Sequence, residues 1–280
     1  MTAEEEIRAG NRFGFGANWA RFLLLVNEKR ILSAEESLQD MIGTASLAGR
    51  SFLDIGCGSG LFSLAARRLG ARVHSFDFDP QSVACARELK RRYLPDDESW
   101  TIEQGSVLDR GYLARLGRFD IVYSWGVLHH TGAMWTAIEN AISCTTRENG
   151  ALLIAIYNDQ GWKSHAWWFA KRLYNALPRF VRGAFAAASY AAAKFVTFAK
   201  RTFRAGPVAA MRSLRSEVGV RGMDAKRDWL DWIGGFPYEF VSLATLESYL
   251  QSRGFTPDRV RPTIGWGCNE IYARRSTCAD

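Results

Sequence analysis

Hydrophobic and polar positions repeat in a regular order between residues 51 and 157. Short apolar runs of strand length alternate with longer stretches of helical spacing, and the unit recurs at intervals of roughly 25 residues. Strands that alternate with helices in this way form a mostly parallel sheet with right-handed crossovers and helices on both faces. The sequence therefore predicts an α/β fold with strands at 51–55, 72–79, 100–104, 119–124 and 151–157 and helices between them, for example at 80–93 and 134–145.

The alternation stops after the fifth predicted strand and resumes near the C-terminus. Residues 158–240 have a helical pattern rich in aromatic and basic side chains, and a helix at 243–253 with strands at 256–263 and 269–274 follows. Residues before the first strand are also helical in pattern, including a helix at 33–42. We therefore divide the chain into a helical lead-in or cap at 1–50, an α/β core at 51–157, a helical insertion or lid at 158–240 and a C-terminal completion of the core at 241–280.

The composition is that of a folded protein whose charge is unevenly distributed. Of the 280 residues, 48% are hydrophobic and 23% are charged, which excludes wholesale disorder. The formal net charge is +7, but residues 160–227 contain 14 basic and two acidic side chains and carry +12 alone. The rest of the chain carries −5, so the positive charge belongs to the insertion.

Cysteine spacing and apolar segments both favour a cytoplasmic protein. The five cysteines include no C-x-x-C pair, so we predict no metal site and no disulfide framework. The N-terminal MTAEEEIRAG is acidic and polar, unlike a secretory signal. The most apolar run, 183–199, includes Lys194 and is short for a membrane span.

A glycine loop joins the first predicted strand to the helix after it. In FLDIGCGSGLFSLAARRLG, Gly56, Gly58 and Gly60 let the backbone turn sharply and approach a ligand, and Asp54 precedes them. The dinucleotide fingerprint would need a glycine where Leu61 stands, and the Gly-Lys-Ser/Thr ending of a P-loop is missing. The pattern is D-x-G-x-G-x-G.

This pattern resembles motif I of the class I S-adenosylmethionine-dependent methyltransferases, and the resemblance continues in register. Asp77 stands at the end of the second predicted strand, 21 residues after Gly56. The segment FDIVYSWGVLHHTG is similar to the corresponding segment of ubiquinone-biosynthesis-type methyltransferases. The resemblance implies a Rossmann-like seven-stranded sheet and S-adenosyl-L-methionine as the cofactor.

The resemblance also implies which residues contact the cofactor. Asp77 would accept hydrogen bonds from both ribose hydroxyls, since one carboxylate can accept two. Ser106 stands where the family usually has an acidic residue near the adenine. The full set of predicted cofactor contacts comprises the motif I residues and the ends of strands two to four: Asp54, Gly56, Cys57, Gly58, Gly60, Asp77, Phe78, Ser106, Val107, Ser124 and Trp125.

Candidate catalytic residues follow the fourth and fifth predicted strands, at the edge where open α/β sheets bind ligands. His129 and His130 are the leading candidates for a general base, and packing or hydrogen bonding of a loop is the alternative for either one. Tyr157 and Asp159 could orient a hydroxyl or serve as base, with loop capping as the alternative. Trp19, Asn158 and Tyr238 are predicted to contact the substrate, and helix packing explains Trp19 equally well.

Three interpretations of the basic insertion remain open. It is a lid that walls the substrate pocket, a surface that lies on an anionic membrane over residues 160–227, or a nucleic-acid-binding segment. The alanine-rich run AFAAASYAAAKFVTFA makes nucleic acid the least favoured partner.

We expect a methyltransferase acting on a small hydrophobic or aromatic acceptor by in-line displacement, with O-methylation preferred. An RNA methyltransferase and a non-catalytic membrane- or partner-binding module are the alternatives. The cytoplasmic protein would lie at the inner face of the membrane if the insertion binds lipid.

Overall fold

The computed structural model describes residues 5, 13–206 and 233–276. Its centre is a seven-stranded sheet with the order β3-β2-β1-β4-β5-β7-β6. Strand β7 runs antiparallel to the other six, which all point the same way. The strands are β1 (Ser51–Ile55), β2 (Arg72–Asp77), β3 (Trp100–Gln104), β4 (Ile121–Trp125), β5 (Ala151–Tyr157), β6 (Phe255–Arg261) and β7 (Cys268–Arg275). The predicted fold class is confirmed.

Helices cover both faces of this sheet. Within the described ranges they are α1 (Gly16–Leu23), α2 (Glu28–Ile42), α3 (Leu61–Arg68), α4 (Pro80–Tyr93), α5 (Arg110–Leu116), α6 (Met134–Ser143), α7 (Trp162–Ala176), α8 (Arg179–Ala205) and α9 (Leu243–Ser252). A short 3₁₀ turn, Leu128–His130, lies between β4 and α6. None of these helices is long and apolar enough to cross a membrane.

Alternate residues of the central strands build two cores. Leu53 and Ile55 of β1 pack with the helices α6 and α9, whereas Phe52 packs with α2 and α3 on the other face. Strand β5 is buried along its whole length, as expected for a strand covered on both faces. The two cores fix the sheet, so the ends of its parallel strands form a rigid edge.

The N-terminal segment is tied to that edge. The Gly16 amide at the start of α1 donates to the Asp79 carboxylate at 2.8 Å, and the Phe13 amide donates to the Phe236 carbonyl at 3.0 Å. The start of α1 and the residues just before it therefore connect the loop after β2 to the segment that precedes α9.

Some boundaries differ from the predictions for local reasons. Helix α2 begins at Glu28 rather than at 33, because the Asn27 side chain accepts from the Arg30 amide and caps it there. Strand β4 begins at Ile121, since Phe119 makes only an isolated bridge to Thr145. The insertion contains α7 and α8, and its remainder at 207–232 lies outside the described residues.

Candidate active site

The glycine loop leaves β1 through backbone geometry that other residues adopt rarely. Gly56 and Gly58 have φ of 76° and 54°. A Cβ at Gly56 would lie 2.5 Å from the Val127 side chain, so the loop has no room for a side chain there. The Gly56 and Cys57 amides donate to the Phe76 carbonyl at 2.8 and 3.1 Å, which joins the loop to β2.

Asp77 ends β2 and braces the loop. Its carboxylate accepts from the Gly58 amide and from the Asp79 amide, both at 2.9 Å. Burial raises the pKa of Asp77 to about 6, although those two amides favour the charged form. The side chain remains half-buried, and each carboxylate oxygen keeps a lone pair for another donor.

Asp54 lies beneath the loop rather than at the open edge. Its carboxylate is buried and accepts from the Ser63 hydroxyl at 2.5 Å. Ser63 accepts from the Ser75 hydroxyl at 2.7 Å, which in turn accepts from the Trp100 indole at 2.8 Å. Burial raises the pKa of Asp54 to about 7. This buried chain of hydrogen bonds supports the loop from inside.

Trp19 covers the loop from the solvent side. A Cβ at Gly58 would lie 2.7 Å from the Trp19 indole, so the ring rests directly on the Gly58 backbone. Trp19 also packs edge-on against Phe22, with ring centroids 5.9 Å apart. The predicted N-terminal cap therefore reaches the motif I loop.

The ends of β2 and β3 present the next predicted cofactor contacts. The Ser106 hydroxyl accepts from the Leu108 amide at 3.2 Å and the Val107 carbonyl accepts from the Asn140 amide group at 2.8 Å. The Phe78 carbonyl accepts from Gln104 at 3.3 Å. The Gln104–Phe78 bond links the end of β3 to the loop after β2, and the Asn140–Val107 bond holds the loop after β3 against α6.

The remaining predicted contacts are Ser124 and Cys57, which are buried, and Trp125, which is half-buried. The Ser124 hydroxyl is buried and donates to the Ile55 carbonyl at 3.0 Å, which links β4 to β1. Trp125 donates from its indole to Glu270 on β7 at 3.1 Å. Cys57 is buried, and that burial raises the pKa of its thiol. Ser124 and Trp125 therefore also carry structural hydrogen bonds.

His129 and His130 have different environments. The His129 ring is fully buried, and its Nδ1 accepts from the Tyr157 amide at 3.3 Å, so the proton of the neutral ring is on Nε2. Within the described residues that Nε2 has no hydrogen-bond partner. Burial, reinforced by the charges of His130 and Lys171, lowers the pKa of His129 well below its usual range.

His130 has the opposite tautomer in its neutral form. Its Nδ1 lies 2.6 Å from the Pro237 carbonyl, an acceptor, so Nδ1 carries the proton and Nε2 carries the lone pair. The ring packs against Phe15 at 5.3 Å and Tyr157 at 5.4 Å between centroids. The carbonyl and the two aromatic rings hold the imidazole in one orientation.

The end of β5 carries a buried ring, and two side chains that form the following turn come directly after it. Tyr157 is buried, with its ring centroid 4.0 Å from that of His129. Asn158 donates to the Thr263 carbonyl at 3.1 Å and accepts from Asn269 at 3.0 Å. Asp159 is exposed and accepts from the Gly161 amide at 2.7 Å. Asn158 and Asp159 therefore build the loop that enters the insertion.

Sequence reasoning missed Lys171 and Glu239. Lys171 is 1% exposed, and its Nζ lies 4.8 Å from the ring centroid of Tyr238. Burial raises the pKa of the Tyr238 hydroxyl to about 12. Glu239 donates from its amide to the His129 carbonyl at 2.9 Å and accepts from the Met134 amide, capping α6. The position of Lys171 in a basic helix signals an exposed side chain, so only the tertiary contacts identify it.

A groove of about 460 Å³ opens beside this aromatic cluster. Tyr238 lines the groove and packs against the Tyr157 ring, with centroids 5.1 Å apart. The lining is mainly aromatic and comes from three regions, the start of α6, helix α7 and the segment before α9: Met134, Trp135, His165, Trp168, Tyr238, Glu239 and Phe240. Its volume falls in the range of small-ligand sites.

These residues fit S-adenosylmethionine. The half-buried Asp77 carboxylate ends β2 and keeps lone pairs for further donors. It lies beside a glycine turn whose space a side chain would fill, and the Trp19 indole covers that turn. Asp77 would hold the ribose hydroxyls, and the glycine loop would approach the rest of the cofactor through its backbone.

Comparison with known proteins agrees with this arrangement. A family model described as a methyltransferase domain matches residues 53–152. A ubiquinone biosynthesis O-methyltransferase from Methylobacterium sp. (strain 4-46) is 33% identical over 46% of this chain and 49% of that protein. A ribosomal protein L11 methyltransferase from Aeromonas hydrophila is 39% identical over 22% of this chain and 25% of that protein. The matched part thus spans half or less of these relatives.

Solved structures are similar over nearly the whole chain. Magnesium protoporphyrin IX methyltransferase from Synechocystis PCC 6803, solved with SAH, has a TM-score of 0.54 at 17% identity, covering 93% of this chain and 94% of that one. A Burkholderia thailandensis 1,6-didemethyltoxoflavin-N1-methyltransferase has a TM-score of 0.50 at 16% identity, covering 99% and 92%. At these identities the likeness concerns the fold. Residues 53–152 therefore match a methyltransferase-domain model, and the seven-stranded fold of the chain is that of the solved methyltransferases.

Proposed function

We propose that this protein methylates a hydroxyl oxygen of a small hydrophobic or aromatic molecule, with S-adenosylmethionine as the methyl donor. One observation carries the proposal: the Asp77 carboxylate and the Gly58 amide meet at the sheet edge directly beneath Trp19. When bound, the cofactor supplies an electrophilic methyl group. The protein's part is to align the acceptor and exclude water.

The aromatic groove supports an acceptor of this kind. Trp135, Trp168, Tyr238 and Phe240 contribute aromatic rings to its lining, and Tyr238 joins it to the cluster at the end of β5. Helix α7 contributes His165 and Trp168, so the insertion at 158–240 would act as a wall of the acceptor site. The O-methyltransferase named among the relatives supports oxygen as the receiving atom.

We assign to His130 the role of taking a proton from an acceptor hydroxyl. The Pro237 carbonyl holds the proton of the neutral ring on Nδ1, which directs the lone pair to Nε2. His129 is fully buried and accepts a backbone amide, which supports a role in positioning Tyr157 and His130. Asp159 caps a turn and is not part of the proposed mechanism.

Calorimetry with S-adenosylhomocysteine, followed by methyl transfer to a panel of phenols and catechols, tests the proposal. We expect binding by the wild type and a loss of about tenfold or more in affinity for Asp77→Asn, which replaces an acceptor oxygen with a donor. Asp96→Asn, at an exposed position of the loop before β3, is the matched control and should bind as the wild type does. A wild-type protein that binds no S-adenosylhomocysteine would identify a non-catalytic module instead.

A further inference from the structure

Helix α8 exposes apolar side chains along its length. Every exposed position of α8 whose side chain is described is Gly, Ala, Val or Phe. Phe180, Phe195 and Phe203 are exposed by 87%, 72% and 95%. A surface helix of a globular protein ordinarily turns polar residues outward. We call these exposed positions, from Phe180 to Phe203, the α8 outer face.

The α8 outer face is a continuous stripe on one side of the helix. Phe180, Ala184, Ala191, Phe195 and Ala199 are all exposed, and their spacings of four and seven residues keep them on one side. Ala186 on the other side is buried with Tyr174 and Ile233. At a rise of about 1.5 Å per residue, the stripe from Phe180 to Phe203 is about 35 Å long.

Basic residues accompany this stripe, and acidic residues do not. The sequence of α8 contains six Lys or Arg residues and no Asp or Glu. Arg182 is half-buried and donates to the Leu177 and Asn175 carbonyls, and the Lys194 ammonium lies 5.6 Å from the Tyr190 ring centroid. An apolar stripe on a cationic helix has the chemistry of the boundary between lipid headgroups and acyl chains.

Other occupants fit less well. Two copies packed through this stripe would bring twelve like charges together along two neighbouring helices, which is unfavourable. RNA binding relies on cations at phosphates, and it would leave the exposed Phe180, Phe195 and Phe203 side chains without an apolar partner. No described helix is long and apolar enough to span a bilayer, which leaves a helix lying in the plane of the membrane.

We propose that the α8 outer face binds the surface of an anionic lipid bilayer. The phenylalanines enter the boundary between headgroups and acyl chains, and the basic side chains of α8 contact the lipid phosphates. This inference does not rest on the proposed methyl transfer, because vesicle binding is measured without cofactor or acceptor.

Co-sedimentation of the full chain with vesicles tests the proposal. The wild type should bind vesicles of phosphatidylcholine mixed with phosphatidylglycerol and should bind pure phosphatidylcholine about tenfold or more weakly. The triple variant Phe180→Gln, Phe195→Gln, Phe203→Gln should lose about tenfold or more of the binding to the anionic vesicles. Leu24→Gln with Leu32→Gln, at exposed apolar positions outside the insertion, should bind as the wild type does.

Four outcomes would count against the proposal, and light scattering and thermal unfolding supply two of them. Equal binding of the wild type and the triple variant would overturn it, as would equal binding to both kinds of vesicle. A wild-type dimer in light scattering that dissociates in the triple variant, without vesicle binding, would assign the α8 outer face to a second copy. A lower unfolding temperature of the triple variant, again without vesicle binding, would show that the phenylalanines pack within the protein.

Discussion

The indole of Trp19 and the backbone of Gly58 are in direct contact: a Cβ added at Gly58 would stand 2.7 Å from the ring. The contact joins α1 to the glycine loop across 39 positions of sequence. The N-terminal segment is therefore part of the site that forms at the strand ends of the α/β core.

This contact predicts that Gly58→Ala is more harmful than an equivalent change elsewhere. Gly49 also has a positive φ, of 78°, but a Cβ there meets nothing within 4 Å. Both variants lose about 1 kcal/mol of stability from backbone strain, and Gly58→Ala should lose roughly 1 to 3 kcal/mol more by overlap with Trp19. Urea unfolding of both variants measures the difference. Adding Trp19→Ala to Gly58→Ala should recover part of the extra loss; equal effects at Gly49 and Gly58 would contradict the contact.

The buried Asp54 predicts a stability that falls as the pH rises. Its pKa is raised from 3.8 to about 7 in the folded protein, so the folded state binds more protons than the unfolded state between those values. The stabilisation is complete below pH 3.8 and is lost as the pH rises through about 7. Across this window we expect the unfolding free energy of the wild type to fall by up to about 4 kcal/mol more than that of Asp54→Asn. Denaturation curves at several pH values measure it, and parallel curves for the two proteins would refute the assignment.

His130 and Asp159 are predicted to differ in their effects on methyl transfer. His130→Gln removes the proposed base and should lower kcat on the order of 100-fold, with little change in S-adenosylhomocysteine affinity. Asp159→Asn keeps the oxygen that accepts the Gly161 amide and should leave kcat within about twofold. Steady-state kinetics measure kcat for both variants. A larger loss of kcat in Asp159→Asn than in His130→Gln would assign the base to Asp159 instead of His130.

Asn158 is predicted to matter for stability. Asn158→Ala leaves the Asn269 amide and the Thr263 carbonyl without their partner and should cost about 1–3 kcal/mol of unfolding free energy. The double variant Asn158→Ala, Asn269→Ala should lose less than the sum of the single changes, because the two side chains share one hydrogen bond. Thermal unfolding of the three variants tests this. Strict additivity would show that the pair is not coupled.

Much of the fold is readable from the sequence because it depends on local periodicity. The bounds of β1, β3 and β5 agree with the predicted strands, and the helix predicted at 80–93 is α4. Buried parallel strands are continuous apolar runs, and the crossover rule then leaves few arrangements. The domain division and the roles of individual site residues stay predictions.

The residues that surround the proposed acceptor site were less accessible from sequence. Lys171 belongs to a basic helix, and nothing in its local pattern distinguishes it from the exposed Arg172. Its burial beside Tyr238 depends on how α7 packs against the segment before α9. The same holds for Glu239, which caps a helix that begins 105 residues earlier.

The sequence by itself determined the α/β class, the glycine loop and the acid at the end of β2, because these follow from spacing within about 30 residues of chain. Tertiary structure alone decided the rest: Trp19 lies on Gly58, His129 is buried while Pro237 orients His130, and α8 turns Phe180, Phe195 and Phe203 outward. Each of these is a contact, or the lack of one, between segments far apart in the chain. Periodicity indicates which side of a helix or strand is apolar, and only tertiary packing determines which residues that side contacts.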